Sequence, residues 1–323
     1  MAETVVHQAG PPTGKPASVA IIDEATLPIG RDRVRWLATR LAVAAWLLMA
    51  IGSATRVANA GLACPDWPLC YGQVLPWTQM NWQVFLEWFH RLDAAIVAFG
   101  SLGLVVTAFR VRRELPRWVL PATTAALALV ILQAGLGALT VTELLRFDVV
   151  TAHLGTALAF LALLVAIAAG LAPQQRSGTG AGLAWLAIAG AIAIDAQSLL
   201  GGIVGSRWAV NQCLQGDRLC GVLHAHFLGI VPAVLTVGAL LTMAWRTPAL
   251  NPNLRSLRNL MAMLLVTQLG VGYGTYYFQL RVAGLTILHE AIAAALLASL
   301  VRFAVLAWRD RIHLAPCSDP ASV

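Results

Sequence analysis

Charge is what this chain has least of. Asp, Glu, Lys and Arg make up 11% of its 323 residues, while 59% are hydrophobic; a soluble globular domain carries about 25% charge. A water-soluble fold is excluded, because there are too few polar side chains to cover one. Also missing are a glycine-rich phosphate loop, a dinucleotide-binding fingerprint and a serine triad arrangement, which removes transport ATPases, dinucleotide enzymes and hydrolases. The N-terminal region has no apolar core of the kind a cleavable signal peptide needs. Residues 1–34, with Pro11, Pro12 and Pro16, read instead as a disordered cytoplasmic tail. The first apolar segment then serves as the insertion signal.

What is present is a series of eight apolar stretches, at 35–55, 87–107, 118–140, 149–171, 182–204, 222–245, 257–278 and 284–306. Each is long enough, at about 20 residues, to cross the hydrocarbon core of a bilayer as a helix. The expected fold is an all-α integral membrane protein with eight transmembrane helices. A net charge of +7 would suggest nucleic acid, but most of the 22 basic residues cluster in particular connections. They sit before the first segment (Lys15, Arg31, Arg33, Arg35), after the second (Arg110, Arg112, Arg113, Arg117), after the fourth (Arg176), after the sixth (Arg246, Arg255, Arg258) and near the C-terminus (Arg302, Arg309, Arg311). By the positive-inside rule both termini are cytoplasmic and the odd-to-even loops lie outside.

The five cysteines agree with that orientation: Cys64 and Cys70 fall in the first outer loop, Cys213 and Cys220 in the third, and Cys317 alone in the cytoplasmic tail. Disulfides persist in the oxidising compartment, so Cys64–Cys70 and Cys213–Cys220 are expected to be bridged and Cys317 reduced. The alternatives are unpaired thiols or a metal site; the matched positions and the lack of histidine in these loops favour disulfides.

Four histidines, His90, His153, His226 and His289, lie near the starts of the even-numbered segments. Subtracting 90 from 153 and 226 from 289 gives 63 in both cases. Neutral imidazole is a good axial ligand of haem iron, and a duplicated pair at matching depth implies two such sites. His224 would break the spacing and, two residues from His226, points to roughly the opposite helix face. It is expected to be a polar neighbour. Other landmarks repeat as well. Gly52-Ser53-Ala54-Thr55-Arg56 and Gly202-Ile203-Val204-Gly205-Ser206-Arg207 precede the two cysteine loops, and Gln133-Ala134-Gly135-Leu136-Gly137 matches Gln268-Leu269-Gly270-Val271-Gly272. The chain therefore reads as an internal duplication: two four-helix bundles, 35–172 and 182–309, related by a pseudo-twofold axis, with a cytoplasmic linker at 173–181 and a tail at 310–323. The paired glycines are explained by close helix packing.

One feature is not duplicated. Glu87 stands one helical turn before His90, where the second half has Leu223 before His226. A carboxylate at membrane depth is a functional hypothesis, which gives one site chemistry and the other electron transfer or a structural role. The alternative is an i,i+4 pair with Arg91 near the interface. Asp195, in the middle of the fifth segment, is either protonated, paired with Gln197 or another helix, or part of a proton path. Asp93 could orient His90 or a propionate. Arg56 and Arg207 suit haem propionates and equally suit snorkelling anchors; Trp67, Trp77, Trp82 and Trp88 fit an interfacial belt.

The run Ala60-Gly61-Leu62-Ala63-Cys64-Pro65-Asp66-Trp67-Pro68-Leu69-Cys70-Tyr71-Gly72, followed by Glu87-Trp88-Phe89-His90-Arg91, resembles the haem A synthases, membrane enzymes that oxidise haem O. The resemblance extends from about Arg35 to Arg309. It implies that His90 and His153 flank the substrate haem O, that His226 and His289 hold a haem b, and that Glu87 is the acid of the Glu-x-x-His motif. It implies too that the C8 methyl becomes a formyl group by successive hydroxylations, giving haem A for terminal oxidases. A bacterial inner membrane, an unidentified electron acceptor and the farnesyltransferase that makes haem O are the setting and partners it suggests, with no nucleic acid. His224, and a third loop without the Pro-x-x-Pro character of the first, depart from the pattern. Two other readings fit the histidines: a quinol-linked bis-histidine dihaem b electron carrier, and a haem transporter or chaperone.

Overall fold

A computed structural model describes residues 29–173, 181–206, 220–248 and 250–310. In lipid each backbone N–H and C=O must find a partner within its own segment, which leaves the helix as the form an apolar stretch can take. Eight long helices result among the described residues: α1 (Ile29–Val57), α2 (Trp82–Arg110), α3 (Val119–Thr142), α4 (Phe147–Leu171), α5 (Ala181–Val204), α6 (Cys220–Arg246), α7 (Pro252–Tyr277) and α8 (Ala283–Asp310). Every expected segment lies in one of them, give or take a residue at its end.

Seven of the eight are long and apolar enough to cross a membrane, so the chain is a multi-pass integral membrane protein. The exception is α7, long enough at 26 residues but diluted by Arg255, Arg258, Asn259, Gln268 and Tyr273. Large apolar side chains are exposed around the perimeter, among them Ile96, Phe99, Ile131, Ile192, Leu235 and Val266. In water such a surface would drive association; against acyl chains it is the expected solvent face.

Caps set the entry to two helices. The Asn81 side chain accepts from Val84 N at 3.0 Å at the start of α2, and Asn251 accepts from Asn253 N at 2.9 Å ahead of Pro252 at the start of α7. Both use side-chain oxygens to satisfy first-turn amides that have no partner in the helix. The helices outrun their apolar runs: α2 has 29 residues, roughly 44 Å at 1.5 Å per residue, so its first turns reach the headgroup level.

α1 packs against α2 and α4, and α3 against α2 and α4; α5 packs against α6 and α8, and α7 against α8 and α6. The two sets meet where α8 lies against α1 and α4 and where α4 touches α5. Their shared core contains Val34, Leu161, Leu164, Ile167, Leu296 and Phe303. In α8, 67% of the most apolar stretch is buried, against 17–39% in the other six spans, which makes it the central helix. At the other end of α4 from the histidine, Arg31 Nε donates to Leu171 O at 3.3 Å and Arg309 Nη1 to Ala169 O at 2.6 Å. Cations there meet the carbonyls left open at a helix C-terminus.

The α3–α4 and α7–α8 turns share a backbone. Leu144 and Leu145 have φ of 50° and 61°, Gln279 and Leu280 have φ of 52° and 61°, and Leu145 N donates to Thr140 O at 2.8 Å as Leu280 N does to Thr275 O at 3.0 Å. Subtracting 144 from 279 and 133 from 268 gives 135 for both, the same offset as the paired glutamines.

Candidate functional site

The four histidines stand on the even-numbered helices, half-buried, each with its ring against the helix before it. His90 lies over Gly52 of α1, His153 over Gly137 of α3, His226 over Gly201 of α5 and His289 over Gly272 of α7. His90 and His153 are close enough to interact electrostatically, as are His226 and His289. The pairing expected from spacing is therefore the pairing in space. In all four rings Nδ1 is buried without a partner in full hydrogen-bond geometry. His224 is exposed.

Glutamines pin these turns. Gln133 Nε2 donates to His153 O at 2.8 Å and also to Thr156 Oγ1, Gln197 Nε2 donates to His226 O at 2.5 Å, and Gln268 Nε2 lies 3.3 Å from His289 Nε2. Gln197 was not legible as a partner of His226. Its available signal was position: it precedes Gly201 by four residues, as Gln133 precedes Gly137 and Gln268 precedes Gly272.

Glu87 is buried, with 4% exposure. Its Oε2 accepts from Cys64 N at 2.8 Å, and its Oε1 pairs with Arg91 Nη2 at 2.5 Å. Arg91 in turn donates to the carbonyls of Asp66 (2.6 Å), Leu69 and Cys64 (3.4 Å). The loop so held is closed by a Cys64–Cys70 disulfide, as expected. Asp66 tightens it further, accepting from Tyr71 N at 2.6 Å and Gly72 N at 2.7 Å. Gly72, at φ 69°, occupies the left-handed region that glycine tolerates best.

Arg56, at the end of α1, forms an ion pair with Glu290 of α8. Glu290 adjoins His289 in the chain, and the sequence did not single it out; an acid next to a candidate ligand on a hydrophobic helix was the signal. Asp195 is half-buried on α5. Arg207, Cys213 and the Cys220 side chain lie outside the described residues. Among the described residues there is no group of three or more His, Cys, Asp or Glu placed to hold a metal ion. The imidazoles come in two pairs, His90 with His153 and His226 with His289. That suits a metal whose remaining coordination comes from its own macrocycle.

Among known proteins, residues 35–301 match a cytochrome oxidase assembly protein family, COX15-CtaA. The "Heme A synthase" of Shewanella oneidensis is 27% identical, aligned over 85% of this chain and 97% of its own. The "Heme A synthase" of Caulobacter vibrioides is 28% identical over 87% of this chain and 97% of its own. A shorter likeness, 33% identical over 31% of this chain and 21% of the relative, is to a "Protoheme IX farnesyltransferase" of Halobacterium salinarum.

Proposed function

The chain belongs to the cytochrome oxidase assembly protein family, and from that premise we infer that it is an oxidoreductase converting haem O to haem A. The observation that carries the reading is the set of four half-buried imidazoles, in two pairs, each against a glycine of the helix before it. A neutral imidazole in an apolar wall would offer a nitrogen lone pair to haem iron, so the residues fit the group. On this reading His90 and His153 hold the substrate, haem O, and His226 and His289 hold a haem b. Haem b, when bound, supplies electron relay to an acceptor.

The division of labour rests on Glu87. It lies one turn from His90 on the same helix, and the second half has Leu223 in its place. Oxidising the C8 methyl to a formyl group by successive hydroxylations withdraws electrons and protons from that carbon. A fixed carboxylate beside the substrate would stabilise positive charge developing there, or take the proton from the methyl or from attacking water. Arg91 and the Cys64 amide keep it oriented. Arg56 and Arg207 are assigned to propionates. Pairing with Glu290 does not exhaust the five N–H donors of a guanidinium.

The helix contacts support two four-helix units, α1–α4 and α5–α8, related by a pseudo-twofold axis beside α4 and α8, with α7 as the eighth span. The distribution of basic residues supports cytoplasmic termini and an outer position for the disulfide loop, in a bacterial inner membrane. The loop disulfides, with Cys213–Cys220 as the second, belong to that oxidising side. The enzyme that makes haem O is the expected partner, because its product is the substrate on this reading.

Extraction of the haems from detergent-purified protein, made in a host that supplies haem O, tests the reading. Haem b together with haem O, a hydroxylated haem O or haem A is expected. Haem b alone would make the chain an electron carrier, and no haem would overturn both.

A further inference from the structure

The four glycines beneath the imidazoles are not equivalent. A Cβ placed on Gly52 would stand 2.9 Å from His90 Cε1, one on Gly272 2.8 Å from His289 Cε1, and one on Gly201 3.1 Å from His226 Cε1. On Gly137 it would stand 3.6 Å from His153 Cε1, an ordinary van der Waals contact, and on Gly270 it would meet nothing within 4 Å. The three close rings share a second feature. Beside each ring runs the backbone of the residue four before the glycine under it, Leu48 for His90, Gln197 for His226 and Gln268 for His289, with no hydrogen bond of full geometry formed at Nδ1. In a helix the carbonyl of residue i lies beside the side chain of residue i+4. Glycine at i+4 leaves both the space for the ring and the approach to that carbonyl open.

We propose that Gly52, Gly201 and Gly272 are positioning residues whose missing side chains seat the His90, His226 and His289 rings against the neighbouring helix, beside a backbone carbonyl, and so fix the planes these imidazoles would present to a haem. The inference rests on the reading of these histidines as axial ligands. A ligating imidazole commonly donates its second N–H to a carbonyl, which sets its rotation and basicity; here a missing side chain on the neighbouring helix makes that possible. Packing alone does not account for the pattern, because Gly135 and Gly270, on the same helices as Gly137 and Gly272, face open space. The arrangement also explains an otherwise costly choice, since glycine in a helix interior is less stable than alanine by about 1 kcal/mol.

The test uses the full-length protein in detergent with its haems, carrying Gly52→Ala, Gly201→Ala, Gly272→Ala, Gly137→Ala or Gly270→Ala. Haem content and the electron paramagnetic resonance g-values of the low-spin ferric haems are measured. Gly52→Ala is expected to shift or abolish the signal of one haem, with at least a twofold loss of that haem on purification, and to leave the other unchanged. Gly201→Ala and Gly272→Ala are expected to do the same to the second haem. Gly137→Ala should have the smallest effect of the four ligand glycines, and Gly270→Ala none. A wild-type protein without bis-histidine haem would overturn the ligand reading. Wild-type signals that persist unshifted in all three close-glycine variants would overturn the present inference alone. If Gly52→Ala is not recovered as folded protein, the double variant Gly52→Ala with His90→Ala removes the ring that the new Cβ meets. Its recovery with the second haem intact supports the seat, and its loss overturns it by assigning Gly52 to helix packing.

Discussion

Both oxygens of Glu87 are committed, one to the Cys64 amide and one to Arg91. Removing the carboxylate therefore does two things. It takes the acid from beside His90, and it leaves a largely buried guanidinium uncompensated, a loss of about 3–5 kcal/mol when a buried pair is broken. Glu87→Gln removes the acid and the counter-charge as Glu87→Ala does, but keeps an oxygen to accept from the Cys64 amide, so the two variants differ in what still holds the loop. Glu87→Gln is expected to keep its haem and lose haem A formation, while Glu87→Ala should lose formation and also loosen the 64–72 loop; haem content, haem A yield and limited proteolysis distinguish them. Asp66 gives the same loop a pH dependence. The Gly72 amide, and then those of Tyr71 and Asp66 itself with the charge of Arg91, hold its carboxyl below the usual carboxylate range. A depressed folded value means the contribution is present above the ordinary Asp pKa of about 3.9 and lost as pH falls from there through the folded value. Hydrogen exchange in residues 70–73 should rise across that acidic window, and Asp66→Asn should remove the step. Sequence alone had offered Glu87 both as acid and as partner of Arg91, and the pair is formed. Hidden from it were the Cys64 amide and the three carbonyls held by Arg91, because backbone groups of a loop converge only once the loop is folded.

Helices were the most legible elements, because lipid leaves an apolar segment little else to form. Their ends were less so. α2 begins at Trp82, five residues ahead of the expected start at 87, because Asn81 caps it and its first turns are stacked aromatics, Trp82 on Phe85 at 6.0 Å and Phe85 on Phe89 at 5.6 Å. Trp82 and Gln83 lower an apolar average there, while tryptophan suits the interface. The same averaging leaves α7 short of a spanning helix by composition. At the α3–α4 turn, Leu144 is 75% exposed with φ of 50°. A left-handed conformation costs a side-chain-bearing residue about 1–2 kcal/mol, partly offset by the entropy glycine loses on folding. Leu144→Gly is expected to stabilise the detergent-solubilised protein by about 0.5–1 kcal/mol, seen as a raised melting temperature; a lowered one would show that the exposed leucine is held by contacts worth more than its strain.

At the scale of the molecule, α8 carries the connection between the two sets of helices. Trp46 Nε1 donates to Ala291 O at 2.8 Å, and Arg56 meets Glu290, so three consecutive residues, His289 to Ala291, include a candidate ligand and two ties to α1. Counting one residue on from His153, which holds the place of His289 in the first half, the counterpart of Glu290 is Leu154, which lies against Gly202 of α5. One junction is thus ionic and the other apolar. Glu290→Gln leaves Arg56 without its counter-charge at a half-buried site, and a loss of about 1–2 kcal/mol, between exposed and buried pairs, is expected. Its unfolding midpoint in mixed detergent should fall while the haem at His90 and His153 is retained. Sequence repeats of histidine, glutamine and glycine suggested a duplication. They could not show this junction, because its partners lie in different halves and are unlike.

The two turns that join α3 to α4 and α7 to α8 have another consequence. Their main chains agree in dihedral angles and in the threonine carbonyl they close upon, yet Leu144 faces Gln279 across the repeat. Where the main chain alone dictates a bend, its side chains are free to diverge after a gene segment is copied. A likeness between two turns can be carried in angles where the letters differ.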